Sequence, residues 1–365
     1  MLKRIQLSNF KSWRNLDLEL APITVLFGTN SSGKSSVLQS LLLIKQSIEY
    51  KDVNFGNDKQ AYVRLGSFQD IVFNHDLQLE ISIILELALN DSIHFSGDHI
   101  DTFTIKYVEN RVVLEEDSVD TFWSLVMNHD YLHYLGPLRL HPERVYLWSG
   151  VVPSAIEPDG GNTIAALIAS QRLNGKLHEQ VSTWLKDMKL VDDFNVSPVD
   201  NNQRFYDTNI RIGDKISSLL HVGFGVSQVL PVITLLFFAP EGSLILLEQP
   251  ELHLHPGAQA QLADLILHVA KERNLQLVIE SHSEHLLRRF QRRIAEIDQE
   301  FASPENIKMY FCEAGAEGSQ VQEVKVDAYG QIENWPKNFF GDVSGDLDAM
   351  MQAGIERRLK ELNGG

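Results

Sequence analysis

The sequence predicts an α/β fold built on a parallel sheet, and three observations predict it. Gly28-Thr29-Asn30-Ser31-Ser32-Gly33-Lys34-Ser35 stands between an apolar run, Ile23 to Phe27, and a stretch where Val37, Leu38, Leu41, Leu42 and Ile44 repeat at helix spacing. Two more continuous apolar runs, Ser243 to Leu247 and Leu275 to Ile279, end in Glu248 and in Glu280-Ser281-His282. A helical pattern from about Pro256 to Arg273 separates them, and strands alternating with helices imply a parallel sheet with its ligand at the strand C-termini.

Taken in order, residues 2–9 and 16–20 read as strands around the turn Asn9-Phe10-Lys11-Ser12-Trp13. Strand 23–27 delivers the glycine-rich loop, and a helix follows to about Tyr50. Residues 51–61 are polar and turn-rich, the pattern of a surface loop. From Tyr62 to about Glu116 the chain is β-rich. Leu77, Leu79, Ile81, Ile83, Leu85, Leu87 and Leu89 alternate with mostly polar residues, which predicts one strand with a buried face. Thr102 to Val108 and Arg111 to Glu115 form a hairpin pattern around Glu109-Asn110. Tyr131 to Leu138 reads as a strand, 163–173 and 176–190 as helices, and 194–199 and 205–212 as strands. Gly223-Phe224-Gly225-Val226-Ser227-Gln228 opens an apolar helix to about Phe238, and 307–313 and 320–327 read as a strand pair. No heptad repeat is sustained, which excludes a long coiled-coil arm.

Composition narrows the class. The 365 residues suggest two or three domains, and 44% hydrophobic content is ample for a packed core. Cys312 is the single cysteine, so no disulfide forms within the chain, which fits a reducing cytosol. The N-terminus alternates like a strand with no signal-like apolar core, and the most apolar run, Val229 to Ala239, is too short for a bilayer and contains Pro231. The expectation is a soluble cytoplasmic protein without membrane contact. A net charge of -17 opposes non-specific binding to nucleic acid. Arg288, Arg289, Arg292 and Arg293 read as a solvated helix face, the alternative being a local basic groove.

The loop at 28–35 fits G-x-x-x-x-G-K-[ST], with the strand before and the helix after that this pattern requires. Gly28 and Gly33 let the backbone curl until successive N–H groups point inward as an anion nest, and the helix start adds its positive dipole end. Lys34 would then reach the β- and γ-phosphates and the Ser35 hydroxyl would hold Mg²⁺.

The loop with Ser36, Gly223 to Gln228, the run Leu246 to Pro256, and Ser281-His282-Ser283 together resemble the ABC-type ATPase head. The likeness extends to RecF-like, OLD-like and SMC-like members of the AAA superfamily, especially a bacterial group found among phage-defence genes. Gly330-Gln331-Ile332-Glu333-Asn334-Trp335-Pro336-Lys337-Asn338-Phe339-Phe340 resembles the small uncharacterised domain that ends many of that group. The resemblance implies a P-loop NTPase of ABC-ATPase head type over residues 1–295, with a β-rich lobe and an inserted helical region at about 51–220. A small C-terminal domain over 296–365 would complete it.

The same resemblance implies the site roles. ATP and Mg²⁺ are the cofactors, with Gly28, Asn30, Ser31, Ser32, Gly33, Lys34, Ser35 and Ser36 around the phosphates. Glu248 takes the acidic position that orients Mg²⁺, and Gln69 fits the glutamine that many such heads place on Mg²⁺ and water, a plain loop glutamine being the other reading. Gly223, Gly225 and Ser227 resemble the signature motif that meets the γ-phosphate of a second subunit, so that ATP joins a head-to-tail homodimer. His282 resembles the switch histidine. Gln249 stands where most relatives place a catalytic glutamate; an amide can orient water but cannot take its proton, and Glu251 or Glu280 would be stand-in bases. Arg139 reads as a structural salt-bridge partner, a contact to phosphate or to a partner carboxylate being the other reading, and His253-Leu254-His255 also admits a metal pair, although the resemblance makes this segment the dimer-contacting loop. The function so implied is a slow ATPase switch acting on a protein effector encoded nearby. The alternatives are an OLD-like metal-dependent nuclease, for which Glu313, Asp346 and Asp348 would supply acids, and a RecF-like DNA-repair ATPase; DNA is a possible partner that the acidic charge does not favour.

Overall fold

The apolar run of strand β3 (Ile23–Gly28) is continuous because both of its faces are covered. Ile23, Val25 and Phe27 enter one buried cluster and Leu26 the other. Its neighbours divide in the same way. In β12 (Leu244–Glu248), Ile245 and Leu247 face the first cluster and Leu244 and Leu246 the second; in β13 (Gln276–Glu280), Leu277 and Ile279 oppose Val278. This is period-two alternation inside an unbroken hydrophobic stretch.

The computed structural model describes residues 1–49, 55–56, 61–89, 99–108, 111–115, 131–297, 301–336 and 349–355. The central sheet has six strands. From one edge they run β15 (Gly318–Glu323), β14 (Ile307–Gly315), β3, β13, β12 and β7 (Leu132–Leu135). All pairings are parallel except the β14–β15 hairpin. One face carries α3 (Thr163–Leu173), α4 (Lys176–Asp187), α5 (Phe224–Phe238), α6 (Pro256–Glu272) and α7 (Glu284–Ala295). Helix α5 is apolar all round because it is enclosed, with Val226 to Phe237 buried.

The other face carries α1 (Lys34–Glu49) and an antiparallel sheet of β1 (Leu2–Phe10), β2 (Trp13–Glu19), β4 (Ile81–Leu89), β5 (His99–Val108) and β6 (Arg111–Glu115). Gln276 couples the two sheets: its Oε1 accepts from Leu2 N at 2.8 Å and its Nε2 donates to Leu2 O at 2.6 Å. A smaller sheet of β8 (Tyr146–Leu147), β9 (Asp193–Pro198), β10 (Phe205–Ile212) and β11 (Lys215–Ser218) lies beside the helical face. The mixed α/β fold thus stands as the sequence indicates, and among the described residues of 51–220 the strands β4 to β6 and β8 to β11 and the helices α3 and α4 are present.

Several details differ. The strand read from Leu77 begins at Ile81, and Leu77 is 57% exposed. Asp76 Oδ1 accepts from Gln78 N at 3.0 Å, a side-chain-locked turn that overrides the alternation. β11 is an addition, joined to β10 across Gly213-Asp214. The expected loop at 51–61 lies mostly outside the described residues, although Phe55 is buried, and so do the turn at 109–110, Asp346 and Asp348. The boundary expected at 296 falls before β14, which is hydrogen-bonded into the central sheet against β3, so the sheet runs past it.

Arg289 and Arg293 of α7 both pair with Asp264 of α6, at 2.6 and 2.8 Å. Arg288 meets Glu284 and Arg292 meets Glu296, so this basic helix face is neutralised within the fold. Among the described residues no helix is long and apolar enough to cross a membrane.

Candidate functional site

The site is assembled at the C-terminal ends of β3, β12 and β13. β3 delivers Gly28 directly beside Cys312 of β14, so closely that a Cβ on Gly28 would lie 2.0 Å from the Cys312 carbonyl oxygen. The chain then curls through Ser31 at φ 60° and Gly33 at φ 90° into α1. Trp13, fully buried at the start of β2, donates its indole N–H to Gly33 O at 2.9 Å and pins the loop from below. Thr29, Asn30 and Ser31 are exposed at its tip, while Ser32 and Ser36 are buried.

Lys34 is 3% exposed and turned back onto its own loop. Its Nζ donates to Thr29 O at 2.6 Å, Gly28 O at 3.2 Å and Ser32 Oγ at 3.4 Å. Desolvation lowers its pKa, with Glu280 opposing that shift. An ammonium held only by carbonyl and hydroxyl oxygens is a counter-charge prepared for an anion.

Two acids face this loop from adjacent strands, Glu248 being register partner to Glu280. Glu248 is 7% exposed, and its Oε1 accepts the Tyr134 hydroxyl from β7 at 2.9 Å. Burial, then the charge of Glu280, pushes its carboxyl up to about 7, with Tyr134 and Lys11 pulling the other way. Glu280 takes a hydrogen bond from the Ser35 side chain, is raised chiefly by burial, and keeps a buried Oε2 with no partner. The hydroxyl of Ser35 beside a half-satisfied carboxylate, with Glu248 next to it, is a hard-oxygen donor set that fits Mg²⁺. When bound, that ion would neutralise phosphate charge. Among the described residues no cluster of three His, Cys, Asp or Glu could hold a metal by itself.

The segment after β12 forms the wall on the other side. Glu251 is buried and braces the segment after β13: its Oε1 accepts from Ser281 Oγ at 2.7 Å and from His282 N at 2.8 Å. His282 is exposed and hydrogen-bonds the Gly28 backbone, which partly offsets the lowering of its pKa by desolvation and by Lys34. Gln249 is half-buried, with its N–H donated to Glu280 O at 2.8 Å. His253 and His255 do different work: the His253 ring stands edge-on to Phe224 at 4.9 Å, while His255 Nδ1 accepts from Gly257 N and caps α6.

Gly223, Gly225 and Ser227 sit at the start of α5, against the segment after Gln249 and not against the phosphate loop. A Cβ on Gly225 would lie 2.9 Å from His253 O. Ser227 donates its hydroxyl to Phe224 O at 2.8 Å, and no described hydrogen bond joins 223–227 to 28–36. Gln69 is exposed on the short helix α2 (Phe68–Ile71), its carbonyl meeting His75 Nδ1, and no described hydrogen bond brings its side chain to the loop. Glu313 is exposed on β14.

Arg139 departs from the salt-bridge reading. Its guanidinium is buried against the backbone carbonyls of Gln228, Glu248 and Gln249, not against a carboxylate. Sequence reasoning also missed Tyr134 and Lys11. Tyr134 gave one signal, a polar-tipped aromatic near the end of a buried strand. Lys11, buried enough that its pKa falls, reaches Gln39 Oε1 at 2.5 Å.

Comparison with known proteins matches three family models. Residues 1–129 match "AAA ATPase domain", residues 159–288 match "AAA domain, putative AbiEii toxin, Type IV TA system", and residues 303–350 match "Protein of unknown function (DUF3696)". The chain is similar to the DNA replication and repair protein RecF of Lachnoclostridium phytofermentans, 29% identical over 87 residues, 22% of this chain and 24% of that protein. It is also similar to the OLD nuclease of Thermus scotoductus, 41% identical over 44 residues, 12% of this chain and 8% of that one. The chain thus spans about a quarter or less of the curated relatives it matches. Among solved structures, an SMC head bound to the C-winged helix domain of ScpA superposes with a TM-score of 0.53 at 12% identity, covering 89% of this chain and 98% of that one. That likeness concerns the fold.

Proposed function

We propose that the chain, whose segments match two AAA ATPase family models and a domain of unknown function, is an ATP-gated dimerising switch built on an ABC-type head. ATP·Mg²⁺ binds at Gly28 to Ser36, with Lys34 leaving its loop carbonyls for the phosphates and Ser35, Glu248 and Glu280 around the ion. Gly223, Gly225 and Ser227 complete the site of a second copy. The observation that carries this reading is the separation of Ser227 from the phosphate loop within one chain: each half is formed, and neither closes on the other.

Hydrolysis is slow, because Gln249 can orient water but not deprotonate it. A long-lived ATP state suits control of a protein effector, and the match to a toxin–antitoxin family model supports a defence setting. Light scattering with and without ATP·Mg²⁺ tests the reading. ATP should raise the mass of the wild type towards a dimer, and Ser227→Arg should remain monomeric while still binding ATP. A mass unmoved by ATP in both proteins would refute the dimer.

A further inference from the structure

The Gln249 turn is held from outside itself. Gln249 has φ 44°, in the left-handed region that residues with a Cβ rarely adopt. Its carbonyl accepts from Leu252 N at 3.1 Å and from Arg139 Nη2 at 3.2 Å. The same Nη2 donates to Glu248 O at 3.0 Å, and Nη1 donates to Gln228 O at 3.2 Å, one residue past Ser227. Arg139 is 6% exposed, its Nε has no partner, and among the described residues it has no ion pair within 4.0 Å.

Glu251 acts on this charge from beyond 4.0 Å, but a buried guanidinium that forms no ion pair is an expensive way to fill space, and a Met or Leu would fill it without desolvating a charge. What the aliphatic residue lacks is a planar fork that reaches two backbone segments at once. Here those segments are the start of α5 and the turn that aims Gln249. Resting on the reading of 223–228 and Gln249 above, we propose that Arg139 is a positioning residue that ties the Ser227 helix start to the Gln249 turn. A phosphate of the second copy seated on Ser227 then fixes the backbone that presents Gln249 to water in this chain's own ATP site, so that the tie links the two sites of one dimer. The tie is mechanical, through carbonyls, and Arg139 itself touches no nucleotide.

Hydrogen–deuterium exchange and single-turnover hydrolysis on the full chain test this, with wild type, Arg139→Met and Arg139→Lys. In Arg139→Met, exchange at 249–254 should rise about tenfold or more while exchange at 28–36 stays as in wild type. ATP affinity should hold within about twofold while hydrolysis falls roughly 10- to 100-fold, the scale of a misplaced reacting group. Arg139→Lys, which reaches one carbonyl segment but not both, should recover part of each effect. Added ATP should slow exchange at 249–254 in wild type and not in Arg139→Met. Wild-type exchange at 249–254 in Arg139→Met, or ATP affinity lost in step with rate, would overturn the proposal. If the Met variant does not fold, Arg139→Lys decides by the same readings. If wild type does not hydrolyse ATP, the switch reading fails, and the exchange comparison still decides the role of Arg139.

Discussion

Glu251 accepts the backbone N–H of His282 at 2.8 Å across the end of the central sheet. The bond joins the loop after β12 to the loop after β13, and the same oxygen also takes the Ser281 hydroxyl. One oxygen of Glu251 is therefore committed to structure.

That brace makes a stability prediction. Glu251→Ala leaves a buried hydroxyl and a backbone N–H without their acceptor and should cost about 2–4 kcal/mol, from two lost bonds at a charged or polar acceptor. Glu251→Gln keeps an acceptor oxygen and should cost under about 1.5 kcal/mol. Urea unfolding of the three proteins measures both. Equal losses for Ala and Gln would show that the carboxylate charge matters more than the acceptor.

Lys34 predicts the nucleotide dependence. Its ammonium donates to the Gly28 and Thr29 carbonyls, and phosphate oxygens would replace them. Lys34→Ala should weaken ATP binding by about 1.5–3 kcal/mol, roughly 10- to 150-fold, the worth of a hydrogen bond to a charged group. Titration calorimetry reads the difference, and equal affinities would remove the loop from the site.

Gln249 predicts a gain. Its backbone N–H donates to Glu280 O and its amide side chain carries no base, so Gln249→Glu should raise single-turnover hydrolysis on the order of 10²-fold or more with ATP affinity little changed. Glu280→Gln is the counter-test. A fast wild type that Glu280→Gln abolishes would make Glu280 the base and end the slow-switch reading.

Glu248 predicts a pH dependence. Its carboxyl sits at about 7 in the fold against 4.5 in the free side chain. A raised carboxyl pKa means that the folded state binds the proton more tightly. The stability it contributes is fully present below about 4.5 and is lost as pH rises through about 7. Glu251 and Glu280 act in the same direction, while His282 and His178, lowered by burial, act against it. Comparison with Glu248→Gln cancels these shared contributions. Without nucleotide, the variant should gain on wild type by about 2–3 kcal/mol between about pH 5 and pH 8. A gap that stays constant would mean that Glu248 is ionised throughout.

What was legible in the sequence was what lies close in sequence or repeats with a period. Gly28 to Ser35 announces itself in eight consecutive residues, and the run Ser243 to Leu247 ends on Glu248 within one residue of the observed strand. What was not legible depends on strand order. Tyr134 meets Glu248 only because β7 lies beside β12, and 114 residues separate the two. Arg139 finds carbonyls 89 to 110 residues away, and no local pattern distinguishes that from an ion pair. Leu77 failed for the opposite reason: the alternation was real, but the Asp76 turn broke the strand first.

The position of β3 between β13 and β14 has a consequence for how the molecule comes to be. Both strands that flank the phosphate loop are supplied from far downstream, Gln276–Glu280 on one side and Ile307–Gly315 on the other. During synthesis the N-terminal segments emerge first, and the antiparallel β1–β2 hairpin can pair at once. β3 must wait, a bare apolar edge, with one hydrogen-bonding side open through the translation of about 250 further residues and the other through about 280. At ordinary elongation rates that is on the order of 15–60 seconds. The loop is thus finished among the last parts of the head, by long-range parallel pairings that form slowly. Substitutions in β14 such as Met309→Asp should therefore show first as aggregated nascent protein, before any change in nucleotide chemistry can be measured.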